Sequence, residues 1–452
     1  MAAERKILKL VAPEVAAAAR QMIPRRFVGL DVHKRVVQAC VMDGDGSVLH
    51  ELRFELSRES VMTLATRILG PNDEVVVEAS TNTWAVVELL RPEVSRVVVS
   101  NPMQTRAIAM AKVKTDKIDA RVLANLLRGG YIAEVWQPDG NTIELRRLTS
   151  RRARLISQRT AIKNRVQALL AERLIGVPVP RLFSPPGLKW LKGLQLDALG
   201  ASSLASDLRL LEGIEIEIKA LDHGLDMRGS EDPRLKILLT LPGVDVCAAQ
   251  TLLSTLGDVT RFRDGDHAAS YFGLCPSTKQ SGDDCRHGPI TKAGRSQARW
   301  MMIQAAQSVF RHPGPLGAFA RRLSRRKGHN IAVVATARKL VIVAYHLLMK
   351  NEPYRYATPA ATSAKLAGLR IRARGEKQKG GVAKGVDPRT LRADTYLTRV
   401  APLDEVYTRE GLPERATPTD GERRAIKHSG TEKFVASLDG EQFRPRAKAE
   451  TK

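Results

Sequence analysis

The chain has 452 residues, with 73 Lys and Arg against 48 Asp and Glu and a formal net charge of +25. That length exceeds one ordinary core and implies two or three domains. The excess of cations points to a polyanionic partner such as nucleic acid, because cations that neutralise phosphates release condensed counterions. Cys40, Cys247, Cys275 and Cys285 form neither a CxxC pair nor a zinc spacing, which argues against a disulfide scaffold and for a reducing compartment. No single basic amphipathic helix holds the charge, no apolar run is expected to reach transmembrane length, and Arg5–Pro24 has no clean signal-peptide core. The expectation is a cytoplasmic protein with no membrane partner.

An N-terminal extension over residues 1–25 precedes a predicted α/β domain at 26–135. Phe27–Val32 and Val36–Met42 read as strands, and Asp43-Gly44-Asp45-Gly46 as a hairpin turn leading to a third strand over Val48–Leu56. The spacing predicts a helix over Arg58–Leu69, a buried strand over Glu74–Glu78, a helix over Trp84–Leu90 and a strand over Arg96–Ser100. Helices over Thr105–Lys112 and Asp116–Leu127 follow, and Gly129-Gly130 ends the second. Three meandering strands followed by βα units is the order of a ribonuclease-H-like fold.

Residues 141–228 predict two long helices around a break holding Pro178, Pro180, Pro185 and Pro186. Leu145, Leu148, Leu155, Ile162, Val166 and Leu169 form one seam of coiled-coil period; Leu204, Leu208, Leu211, Ile214, Ile218 and Leu221 form the other. Beside the first seam lie Arg146, Arg147, Arg151, Arg152 and Arg154, in a run nearly free of acids, which suits a phosphate-tracking surface better than a plain solvated face. A third, mostly helical domain is expected at 232–353. Beyond it, residues 354–452 read as a basic, largely disordered tail, with Lys, Arg and Gly concentrated at 371–382.

Candidate chemistry lies in two places. Asp31 and Glu78 end two strands that the predicted sheet makes neighbours, and Asp116 and Asp119 share a helix face at i and i+3. Singly, each acid has an ordinary role as a cap, a turn residue or a surface charge. Together, in a basic protein, they are suited to hold Mg²⁺ for phosphoryl transfer. Farther on, Leu241-Pro242-Gly243-Val244 resembles a helix-hairpin-helix turn whose backbone amides would meet phosphate, with Gly243 at its apex. A polar, glycine-punctuated loop follows, from Gly273 to Arg295. Ser281 beside Gly282 is one candidate nucleophile in it, Ser277 and Ser296 are others, and Arg286, Lys292 and Arg295 are candidate phosphate contacts.

Five blocks in order, GLDVHK, VVVEAS, KTDKIDAR, LPGV and the QSG block that runs into ITKAG, resemble the IS110-type transposases, also described as bridge-RNA-guided recombinases, and the related Piv DNA invertase. The resemblance spans residues 27–355. It implies a RuvC-like N-terminal domain whose DEDD acids are Asp31, Glu78, Asp116 and Asp119, a coiled-coil middle, and a C-terminal transposase domain with Ser281 as the catalytic serine. It further implies Mg²⁺, covalent attachment of the serine to DNA, and a homo-oligomer (dimer or tetramer) whose subunits share active sites. The implied partners are donor and target double-stranded DNA and a noncoding bridge RNA, in a prokaryotic, nucleoid-associated setting. The alternatives are a Holliday-junction resolvase using the acids alone, which would need no serine-bearing domain, and a non-catalytic nucleic-acid-binding protein.

Overall fold

The computed structural model describes residues 25–108, 115–282, 284–375 and 397–445. Nearly all of the N-terminal extension, and the Lys/Arg/Gly-rich run beyond residue 375, lie outside them. The chain divides into two compact units, meeting in sequence between Gln137 and Pro138.

The first unit is a five-stranded sheet with helices on both faces. Strands β1 (Phe27–Val32), β2 (Val36–Met42) and β3 (Val48–Glu55) form an antiparallel meander, and β4 (Glu74–Glu78) and β5 (Arg96–Ser100) add in parallel on the other side of β1. The order is β3-β2-β1-β4-β5. The first turn closes as its Asp and Gly residues require: Asp43 Oδ1 accepts from the amides of Asp45 and Ser47, and Gly46 has φ +93°.

Alternation along the strands sorts the core. Val28, Leu30, Val32, Val75 and Val77 face helix α1 (Arg58–Thr63, continued by a π-type turn to Ile68) and helix α2 (Thr83–Leu90). Phe27 and Val76 face the opposite way, toward Leu123 and Leu127 of helix α4 (Asp116–Arg128). A short helix α3 (Pro102–Ile108) follows β5. Helix α4 lies unusually close to β1. A Cβ on Gly29 would stand 2.6 Å from the Ala124 amide nitrogen and closer still to the Ala120 carbonyl oxygen, so only glycine permits this approach.

The second unit opens with an antiparallel helical pair, α5 (Gly140–Glu172) and α7 (Ala198–Glu231), joined through the short α6 (Pro185–Lys192). Leu204, Leu211, Ile218 and Leu225 are buried at a strict seven-residue interval on α7, and Ile162, Val166 and Leu170 are buried on α5. Leu148, Leu155 and Leu221, expected in the seams, are only half-buried. Then come α8 (Pro233–Leu239), α9 (Val246–Leu256), α10 (Gly265–Tyr271), a hairpin of β6 (Pro276–Ser281) and β7 (Asp284–Ile290), α11 (Ser296–Val309), α12 (Pro315–Lys327), α13 (His329–Lys350) and α14 (Pro359–Ala373). Helix α13 has the length and apolarity to cross a membrane, contrary to expectation, but half of its apolar window is buried and it runs through this unit's core.

Past residue 354 the structure corrects the expectation of a disordered tail. Strands β8 (Leu397–Val400) and β9 (Gln442–Pro445) pair, and α15 (Leu403–Arg409), α16 (Asp420–Ser429) and α17 (Glu432–Ala436) lie between them in sequence. Leu366, Leu369, Leu403, Val406 and Tyr407 join the main core, and the Tyr407 hydroxyl donates to the Tyr354 carbonyl at 2.6 Å. Polar composition concealed apolar residues spaced for burial at i, i+3 and i+4.

Candidate active site and the basic surfaces around it

Asp31 has the same strand parity as Phe27 and Gly29, and Glu78 the same parity as Val76, so both carboxylates stand on the α4 side of the sheet. In register, Leu30 lies beside Val77, which sets Asp31 and Glu78 at the same end of adjacent parallel strands. Asp116 and Asp119 occupy the first turn of α4, where Thr115 caps the helix by accepting from the Ile118 amide. That helix start is tied to β3 by Lys117 (2.5 Å) and Arg121 (2.7 Å), both paired with Glu51. Beyond Glu78, the Thr83 hydroxyl donates to the Glu78 carbonyl at 2.9 Å and accepts from the Ser80 amide at 2.6 Å, fastening the strand's exit.

Asp31 feels the other three acids. Burial, first of all, pushes the 5 % exposed Asp31 carboxyl up, and the charges of Asp116, Asp119 and Glu78 push the same way, while His33 offsets part of this. His33 is a site residue that the sequence did not single out. Its Nε2 lies 3.1 Å from Asp31 Oδ2 and 3.2 Å from Asp116 Oδ1. One ligand atom from each of Asp31, His33 and Asp116 falls within 4.8 Å of the others. Carboxylates joined by an imidazole suit a hard or borderline divalent cation. The available signal was spacing: two residues along an extended chain return a side chain to the same side.

The serine region is a β-hairpin rather than the expected irregular loop. Ser281 pairs in register with Asp284 at its tip, where Gly282 has φ +58°. Lys279 pairs with Arg286 two positions back, so Ser281, Lys279, Asp284 and Arg286 share one exposed hairpin face. Arg286 Nε donates to Asp284 at 2.9 Å, and the Ser281 hydroxyl has no hydrogen-bond partner among the described residues. Ser277 sits lower on β6, half-buried with its hydroxyl against Gly288, and Ser296 begins α11. Lys292 is exposed with φ +54° at the hairpin's exit.

A family model described as a transposase, of the DEDD type of IS110, matches residues 28–174, and another described as "Transposase IS116/IS110/IS902 family" matches residues 235–321. The chain belongs to the IS110-type transposases. Among the relatives of this transposase are the transposase for insertion sequence element IS1111A of Coxiella burnetii, 26 % identical over 74 % of this chain and 93 % of its own length. The insertion element IS116 44.8 kDa protein of Streptomyces clavuligerus is 24 % identical over 75 % and 98 %. The pilin gene-inverting protein of Moraxella bovis is 25 % identical over 73 % and 98 %.

Several basic residues of the transposase expected to contact phosphate also have internal partners. Arg146 donates to the Ser254 carbonyl at 2.7 Å. Arg295 donates to the hydroxyl of Ser150 at 2.8 Å and is largely buried, which lowers its pKa. On α5, Arg152 pairs with Asp222, Arg151 with Glu217 at 3.0 Å and Arg165 with Asp207 at 2.5 Å, all from α7. The acids missing from the basic run are thus supplied by the facing helix. Arg147 and Arg154 remain exposed, without an ion-pair partner among the described residues.

The Pro-Gly turn is also internal. A Cβ on Gly243 (φ +76°) would meet the Ala305 backbone of α11. Lys365 donates from α14 to the carbonyls of Leu241 (2.7 Å) and Val244 (3.0 Å). Asp245 caps α9 by accepting from the Ala248 amide at 2.8 Å. A carboxylate therefore already caps that helix start.

Proposed function

We propose that this transposase cuts and rejoins DNA with two groups of side chains: the cluster Asp31, Glu78, Asp116 and Asp119, with His33 beside it, and Ser281 as nucleophile. The observation that carries the proposal is the placement of Asp31 and Glu78 at one end of adjacent parallel strands, on the side of the sheet that α4 covers, with ligand atoms of Asp31, His33 and Asp116 within 4.8 Å of one another. Mutual repulsion of the carboxylates, unfavourable in the protein alone, is relieved by a bound cation. Asp31, Glu78, Asp116 and Asp119 would hold Mg²⁺, with His33 within ligand reach. Such an ion supplies positive charge against a scissile phosphate and its departing oxygen. The strand order β3-β2-β1-β4-β5 supports a ribonuclease-H-like, RuvC-like domain at 26–135. The heptad-spaced α5–α7 pair supports a coiled-coil region at 141–228, followed by the serine-bearing transposase domain at 232–353.

Ser281 Oγ would attack a DNA phosphorus. The Oγ–P bond forms, the P–O bond to one sugar oxygen breaks, the serine proton is lost, and the leaving oxygen takes up a proton. A second DNA hydroxyl then attacks the serine ester, restoring Ser281 and making a new phosphodiester without an external energy source. Exposure of Ser281 at a hairpin tip, beside Lys279 and Arg286, supports its access to a phosphate. We read the partners as donor and target double-stranded DNA, a noncoding bridge RNA, and further copies of this chain in a dimer or tetramer. The net charge of +25 and the relatives named for insertion elements and gene inversion support the DNA partners.

The test is a covalent adduct. Purified protein incubated with its element-end DNA and Mg²⁺ should give a serine–DNA species on a denaturing gel. Ser281→Ala should abolish it while Ser277→Ala and Ser296→Ala keep it, and Asp31→Asn or Asp119→Asn should remove strand transfer with nonspecific DNA binding intact. An undiminished adduct in Ser281→Ala would sink the assignment. Mixed oligomers of Asp31→Asn and Ser281→Ala chains should regain partial strand transfer if copies share sites, and no recovery would confine each site to one chain.

A further inference from the structure

The second unit contains a cleft of about 830 Å³ between α12, α13, the segment 352–356 and α16. Its cations come at helical spacing. Arg322 and Arg325 lie three apart on α12, and Lys339 and Lys350 lie eleven apart on one face of α13, with His346 between them. None of these four Lys and Arg side chains has an ion-pair partner among the described residues, and all four are exposed. The acids of the cleft are already engaged: Arg355 pairs with Glu422 at 2.5 Å and with Glu352 at 2.9 Å. The charge left over is positive. In the cleft wall, Tyr356 is 7 % exposed, and its buried hydroxyl has no hydrogen-bond partner among the described residues. A buried hydroxyl without a partner is costly, and a ligand that reached it would remove that cost.

We propose that this cleft binds the phosphodiester backbone of a single nucleic-acid strand. Its volume falls in the range of about 300–1,000 Å³ typical of small-ligand pockets, enough for one or two nucleotides and too small for a duplex. Arg322, Arg325, Lys339 and Lys350 track the phosphates, and the half-buried Phe319 offers a ring against which a base can lie. The cleft uses neither the acid cluster nor the serine hairpin, and it is completed by α16, from the chain beyond residue 354.

The test uses the full chain with fluorescent pentathymidylate and penta-uridylate, measured from low to moderate salt. The paired change Lys339→Ala with Lys350→Ala should weaken binding about fivefold or more at low salt and lower the salt slope by about 1.4, two single-strand phosphate contacts at 0.7 each. The pair Arg322→Gln with Arg325→Gln should do the same. These side chains are exposed, so an unchanged thermal midpoint excludes unfolding as the cause. Iodouracil-bearing probes should cross-link to the peptide containing Phe319 or Tyr356 in the parent and not in the Lys pair. A loss seen with only one probe supports the cleft and names its strand as RNA or DNA. Unchanged affinity and slope in both pairs, or cross-links that map only elsewhere, overturn it. Adduct formation by the same variants is scored beside probe binding, so failure of the acid-cluster assignment is read separately.

Discussion

Gly29→Ala is the most direct perturbation of the acid cluster that leaves every acid in place. The new methyl carbon would sit 2.0 Å from the Ala120 carbonyl oxygen and 2.6 Å from the Ala124 amide nitrogen, where ordinary contact begins at 3.4 Å, so α4 must retreat from β1 by about 1.4 Å. The obstacle is helix backbone, so no side-chain rotation relieves it. Asp116 and Asp119 start that helix and Asp31 ends that strand, so the retreat opens the cluster. Overpacking of this kind costs about 1–3 kcal/mol of stability. A misplacement near 1 Å costs on the order of a hundredfold in rate. The assay is adduct yield over time, beside calorimetric titration with Mn²⁺ and a thermal melt. Gly44→Ala is the control, because a Cβ there meets nothing within 4 Å. A folded Gly29→Ala protein with parental Mn²⁺ affinity and adduct rate would refute the claim that close β1–α4 packing sets the cluster.

Other outcomes follow from the basic surfaces. Arg147→Ala with Arg154→Ala should lower the salt slope on duplex DNA by about 1.8, two contacts at 0.9 each. Arg151→Ala with Arg152→Ala should leave that slope nearly unchanged and lower the unfolding midpoint, since both arginines pair with α7. Lys365→Met should cost about 2–3 kcal/mol in urea unfolding at pH 7, because the carbonyls of Leu241 and Val244 lose their shared donor. His312 supplies a pH test. Burial, with Lys365 and Arg321 adding to it, pushes its imidazole down to about 4, and its Nδ1 accepts from the Gly314 amide, a bond that protonation would break. Above pH 6.5 the group is neutral folded or unfolded; below it the unfolded chain takes a proton that the folded one refuses. Stability should therefore fall between pH 7 and pH 5 by about 2 kcal/mol from this residue. A His312→Gln chain that loses stability just as steeply over that interval would remove the effect from His312.

The strand order of the first unit was legible because its determinants are local: valine runs, an Asp-Gly turn, and acids whose parity on β1 and β4 follows from counting. His33 went unremarked because a single histidine carries no pattern until a helix more than eighty residues on brings Asp116 to it. The ion pairs of the basic run on α5 were hidden for a similar reason. Its partners Asp207, Glu217 and Asp222 are 42 to 70 residues distant, and ion pairs of that separation leave no periodic trace. The β6–β7 hairpin was missed because both strands are exposed, so the apolar alternation that marks a strand is absent. Beyond residue 354, Leu403, Val406 and Tyr407 carried a helical spacing that polar neighbours and prolines diluted.

The division of charge between α5 and α7 has a consequence for how copies of this chain can associate. From Leu145 to Ala171, α5 holds eight basic residues and no acid, while α7 supplies the acids that meet five of them. Two α5 helices laid together would set arginine against arginine along their length, whereas α5 against α7 satisfies the pairs. The pattern works as a lock-and-key code for unlike helices. If the link through α6 opens, the α5 it releases is matched to the α7 of another copy as well as to its own. Exchange of helices between subunits would then keep the α5–α7 salt bridges, and like-with-like pairing is the arrangement the charges forbid.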